Sequence, residues 1–276
     1  MKWFSKLFVA ALLATTLNGC IEMHTIMRLN KDGSGSIEEN ISVRKGVIDM
    51  FKEFVSAFAD STQPQQEFNL FEEEKIKAKT SGLGEGVEFV SMETIKTSET
   101  EGYKAIYKFK DVNKVKLNQD PSNELPMGEP TEETEKQKEE VLLKFTQGKP
   151  SRIEFNFPDE VKKTDDKHID NTFETEEKDA EADSANFEQM VKFLKDMKAR
   201  IDIQVEGNIT NTNASYVDGN TITLFDIDFD KLISDENKLE QFKKANPDSF
   251  EEVKKLVKDI PGIRVEMNKV VFIEFE

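Results

Sequence analysis

A single cysteine, Cys20, stands in a chain of 276 residues. One thiol rules out a disulfide framework and any thiolate-rich zinc or iron–sulfur centre, so the fold has to be held by burial. The material for burial is present: 21 Phe supply large apolar side chains, and a chain this long can enclose a substantial core. Lys and Arg number 38 against 55 Asp and Glu, a net charge of −17. That sign argues against duplex nucleic acid as a partner, because its binding rests on clustered cations that release counterions. No apolar run reaches about 18 residues, so no permanent transmembrane helix is expected.

Residues 1–19 read as a cleaved secretory signal. Lys2 and Lys6 give a positive start, and the mostly apolar run from Leu7 to Leu17 is too short to span a bilayer stably. The run ends in Leu17-Asn18-Gly19-Cys20. These four residues resemble the lipobox of bacterial lipoproteins, in which an apolar residue stands three before the Cys and a small one immediately before it. Leu17, Gly19 and Cys20 match; Asn18 occupies a place more usually taken by Ala or Ser. The resemblance implies cleavage before Cys20, a diacylglyceryl group on its thiol and a further acyl chain, such as palmitate, on its amine. One such tail is marginal and several hold essentially permanently. Loss of Lys2 and Lys6 gives a mature charge of −17 − 2 = −19. Such a body is repelled by an anionic membrane and is expected to hang from its anchor on a tether. Ile21 follows the Cys where Asp would signal inner-membrane retention, so the resemblance implies the outer membrane for a Gram-negative source.

Beyond the signal, periodicity favours an α+β class: an antiparallel sheet of hairpins with packed amphipathic helices, in one domain over 20–276. Thr25, Met27 and Leu29 alternate as a strand does, and Ile37, Ile41 and Val43 share a face on the return, with Glu39 the exception. Asp32-Gly33 and Gly35 supply the turn. A calcium loop beginning at Asn30 is the competing reading, but the bidentate Glu of its twelfth position is Ile41, and no metal site is assigned. Helices are expected at 46–60, 71–79, 186–198, 236–245 and 248–260; the third turns Phe187, Met190, Val191, Leu194 and Met197 inward. Strands are expected at 87–95 and 103–112, joined near Glu101-Gly102, and then at 141–145, 152–157, 201–205 and 221–229. Segments 263–267 and 270–275 read as a closing hairpin. The polar stretch 118–140 and the acid-rich stretch 159–185 read as flexible loops.

Two turn-rich pieces, Leu29–Gly35 and Val205–Ile209 leading through Asp218-Gly219-Asn220-Thr221-Ile222, resemble the LppM-type lipoprotein domain. Leu224 stands where that family has a Trp. The resemblance implies a lipid-anchored β-sheet body with helices and no established catalytic role.

Catalytic signals are few. His24 and His168 lie in no motif, so the usual Ser–His–Asp and Cys–His arrangements have no base. Ser42-Val43-Arg44-Lys45 fits Ser-x-x-Lys but lacks a Lys-Thr-Gly partner, and Gly82–Gly86 lacks the spacing of a phosphate loop. No enzyme activity and no cofactor are expected. The leading function is a lipid-anchored, non-catalytic envelope lipoprotein that binds another envelope protein. The alternative is a carrier or sensor of a small apolar ligand such as a lipid.

Overall fold

Strict alternation sets the first strand. In β1 (Ile21–Leu29), Ile21, Met23, Thr25, Met27 and Leu29 are buried while Glu22, His24, Ile26 and Arg28 are half-buried on the other face. β2 (Gly35–Arg44) repeats the pattern and pairs antiparallel with it, from Leu29↔Gly35 to Ile21↔Val43. The expected hairpin is present. Asp32 is used in its turn, where Oδ1 accepts from Ser34 N at 2.9 Å and Ser34 Oγ at 2.6 Å.

The computed structural model describes residues 20–49, 52, 70–118, 140–158, 197–245 and 250–276. The signal at 1–19, His168, the loops expected within 118–140 and 159–185, and most of the helices expected at 46–60 and 186–198 lie outside them. Of the first helix, residues 45–49 are helical, with Ile48 buried.

The short helix after it is α1 (Glu73–Ala78), which buries Ile76. It leads to β3 (Glu88–Lys96) and β4 (Thr100–Phe109), and β4 turns Tyr103, Ala105, Tyr107 and Phe109 into the core. The join lies at 97–99 and not at Glu101-Gly102. Thr97 Oγ1 accepts from the backbone N of Glu99 at 3.1 Å and of Thr100 at 2.9 Å, which fixes the bend one turn earlier. Gly102 lies inside β4, paired with Ser42, and only Gly fits there because a Cβ would run into the Ile41 carbonyl oxygen.

β5 (Leu117–Asn118) flanks β6 (Glu140–Thr146), which pairs with β7 (Ser151–Asn156) in the hairpin expected there. β8 (Met197–Val205) starts earlier than expected: Met197 and Lys198 extend the strand instead of ending a helix, because Met197, Ala199, Ile201, Ile203 and Val205 alternate inward against β1. That pairing is parallel, so the large sheet is mixed and not purely antiparallel. After Val205 the chain changes sheets at Gly207 (φ +87°), where a Cβ would run into the Glu276 carbonyl oxygen. Val205–Ile209 is therefore a strand end, a bend and a new strand, β9 (Ile209–Thr212). β10 (Val217–Asp218) and β11 (Thr221–Asp228) follow, then α2 (Phe229–Ile233), α3 (Glu236–Ala245) and α4 (Phe250–Val257). Phe229 opens α2 instead of closing a strand, since Asp228 caps its N-terminus. The closing hairpin does not form. β12 (Arg264–Val265) pairs with β11, and β13 (Val270–Phe275) pairs with β7 and β9 in the other sheet. Glu266, which is buried, pins the crossover by accepting from Ser215 N, Ser215 Oγ and Asn268 N.

Sheet 1 thus has the order β10-β11-β8-β1-β2-β4-β3 with β12 on β11, and sheet 2 the order β5-β6-β7-β13-β9. Their buried apolar residues form one contiguous cluster. The sheets meet at the turn end of β1 and β2: Ser151 Oγ donates to Lys31 O at 3.0 Å, and the chain passes there from β8 into β9. Among the described residues strands dominate and the helices are minor, within the α+β class.

Candidate functional site

Two places bring chemistry-bearing side chains together. The first is the start of β1. Cys20 is half-buried one residue before the strand, and its carbonyl accepts from Arg44 N at 2.8 Å, which continues the β1–β2 ladder. Arg44 Nη1 lies 3.9 Å from Cys20 Sγ. The expected tether is absent from this side of Cys20, because the ladder begins at once. Leu17, Asn18 and Gly19 lie outside the described residues. The same rim of sheet 1 carries the end of β2, the 97–99 turn, the start of β8 at Met197 opposite Ile21, and the end of β11. Lys45 Nζ donates to Thr97 O at 2.7 Å, so the lysine of the Ser-x-x-Lys match is tied to a turn.

The second is the outward face of sheet 1. His24 Nε2 lies 2.8 Å from Asp202 Oδ2, and the same carboxylate accepts from Arg200 Nε at 2.8 Å and Thr223 Oγ1 at 2.7 Å. Burial pushes the Asp202 carboxyl up, but the bonds from His24, Arg200 and Thr223 outweigh it and hold the group below the ordinary carboxylate range. Two strands away, Glu38 accepts from Lys104 Nζ, Arg28 Nη1 and Asn40 Nδ2. Burial again opposes ionisation, and these three donors bring its pKa down to about 2. Sequence spacing gave no sign of the His24–Asp202 pair, since the partners are 178 residues apart. Only the parallel register of β1 and β8 brings them together. Among the described residues no Ser hydroxyl or Cys thiol is hydrogen-bonded to His24.

On the inward face Glu39 is buried and accepts from Tyr103 Oη at 3.0 Å and Lys79 Nζ at 3.3 Å. Its break in the apolar alternation marks a buried ion pair, the arrangement that lets a charge enter a core.

Open grooves of about 430 Å³ and about 480 Å³ lie on the surface. Arg200, Asp202, Asp218 and Arg264 contribute to the first, and Arg28, Glu88, Lys108 and Lys110 to the second. Among the described residues no group of three His, Cys, Asp or Glu is placed to hold a metal ion, and no helix is long and apolar enough to cross a membrane.

No family model matches the chain, and no curated protein matches it by sequence. Among solved structures, the chain is similar to the folded domain of LppM from Mycobacterium tuberculosis, determined by NMR. Identity is 7%, the match covers 78% of this chain and 86% of that one, and the TM-score is 0.30. This is a faint structural resemblance, and at that level it carries no argument about fold or function.

Proposed function

We propose that the chain is a non-catalytic lipoprotein of a bacterial cell envelope, anchored through acyl chains on Cys20, whose body binds another envelope protein. One observation carries the reading: the sole Cys closes a lipobox-like tetrad and stands immediately before β1. A processed amino terminus at Cys20 leaves β1 and its two ladders intact. Ile21 after the Cys favours the outer membrane in a Gram-negative source.

The binding half rests on the outer face of sheet 2. Leu142 is 68% exposed and Val270 45%, and the register aligns both with Asn156 of β7, so they flank one row of the sheet. Met267, 41% exposed, precedes Val270. Exposed apolar side chains held together on a rigid sheet suit a protein partner.

The test is the intact mass of the full chain recovered from bacterial membranes. The expected product begins at Cys20 with diacylglyceryl and N-acyl additions, and Cys20→Ser carries neither. A mature chain that begins elsewhere, or has no acyl mass, overturns the anchor. A native mass with a non-covalent excess the size of a lipid turns the body into a carrier instead of a protein-binding module.

A further inference from the structure

The anchoring residue and the fold share a ladder, and that has a geometric consequence. Arg44 N binds the Cys20 carbonyl, Ile21 is 1% exposed, and Ile21 pairs with both Val43 and Met197. No chain length separates the point of acylation from the rigid sheet. Given the anchor proposed above, on which this inference rests, we propose that the rim of sheet 1 carrying Cys20 is a membrane-contact surface. The body then stands on the lipid bilayer with β1 directed away from it.

Three features of the rim argue for a lipid surface as the occupant. First, acyl chains on Cys20 Sγ and on its amine leave the body no slack with which to retreat from the head groups. Second, among the described residues the rim is close to charge balance although the mature chain carries −19, the −17 of the whole chain less Lys2 and Lys6. Arg44, Lys45, Lys96 and Lys198 stand against Glu22, Glu99 and Glu101, and Lys231 Nζ lies 3.8 Å from Asp228. The rim therefore lacks the repulsion from anionic lipid that the chain as a whole carries. Third, the Arg44 guanidinium, 3.9 Å from Sγ, lies beside the acylated atom and so at the depth of the lipid phosphates.

The opposite end follows from strand length. β1 has 9 residues, which at roughly 3.3 Å each is a rise of ~30 Å. The β6–β7 turn of sheet 2 meets that far end through Ser151 and Lys31, and it is held away from the bilayer.

The test uses the acylated full-length protein in vesicles of phosphatidylethanolamine and phosphatidylglycerol doped with a head-group nitroxide lipid. With the native thiol consumed by acylation, a fluorophore is attached to a cysteine introduced as Ser98→Cys, in the rim turn, or as Gln147→Cys, on sheet 2. The expected result is severalfold stronger quenching at position 98 than at 147. Inserting a flexible Gly-Ser linker between Cys20 and Ile21 is expected to abolish that contrast while the protein still floats with the vesicles. Equal quenching at the two positions, or a contrast that survives the linker, overturns the orientation and leaves the anchor standing. Failure of the unmodified chain to float overturns the anchor, and this inference with it.

Discussion

The two sheets are held by different means. Sheet 1 rests on long backbone ladders at its centre, with β1 paired without a break to β2 on one side and β8 on the other. Sheet 2, at its β9 edge, relies on side chains standing in for strand backbone. Asn213, beyond the end of β9, donates from Nδ2 to Val270 O and accepts at Oδ1 from Phe272 N, so one amide side chain continues the ladder. Thr210 Oγ1 and Thr212 Oγ1 donate to the carbonyls of Glu274 and Phe272. A backbone ladder follows from alternation, whereas an amide or hydroxyl that replaces one is specified residue by residue.

The largest effect that separates the sheets is expected from Gly102→Val. Its side chain meets backbone, which cannot yield, and a loss of at least about 3 kcal/mol is expected in urea denaturation. A midpoint near wild type would mean that the β2–β4 ladder can part without loss. Glu39→Ala leaves Lys79 and Tyr103 without their shared acceptor deep in sheet 1, and a cost of about 2–3 kcal/mol is expected, with Glu39→Gln recovering part of it. Asn213→Ala strikes sheet 2 and is expected to cost about 1–2 kcal/mol. Hydrogen exchange should show that loss locally, at Phe272, while the β1 amides keep their protection; a uniform loss would erase the distinction between the sheets.

A smaller effect carries a pH signature. Glu38 has its carboxyl lowered from 4.5 to about 2 in the folded state. Its contribution is therefore present above pH 4.5 and disappears as pH falls toward 2. Glu38→Gln is expected to cost about 1 kcal/mol near neutrality, after solvent screening, and to match wild type at the acid end. A gap between the two that stays constant with pH would count against the Lys104 and Arg28 pairing. The smallest effect is expected from Leu142→Ser. It leaves stability within about 0.5 kcal/mol, because the side chain is already in water, and it weakens capture of a partner at sheet 2.

What could be read from the chain follows the same division. Alternation revealed β1 with β2, β3 with β4 and β6 with β7, since each pair is local and half-buried. It missed the parallel contact of β1 with β8 and the separation of β12 from β13. A strand's period shows which face is buried and leaves its neighbour unspecified. Glu39 was visible only as an exception, and Lys79 and Tyr103, which satisfy it, lie on other elements. Arg44 beside Cys20 was likewise out of reach, because the register of a hairpin brings them together. For Cys20 itself, the flanking residues raised the possibility of an anchor, while the absence of slack on its carboxyl side became visible only in the ladder.

The parallel contact between the first strand and the eighth also sets an order of events. A polypeptide that emerges amino end first displays β1 and β2 while most of the chain is still to come. The inner residues of that hairpin, Met23, Met27, Ile37 and Ile41, then have no β8 beside them and little to cover them. Contacts this far apart in sequence form slowly, because a long loop has to close first. The central sheet is completed only when residues 197–205 arrive, so the amino-terminal third of the protein waits, apolar side exposed, for the carboxyl-terminal third. Any factor that shields apolar strands during synthesis acts on this chain in that interval.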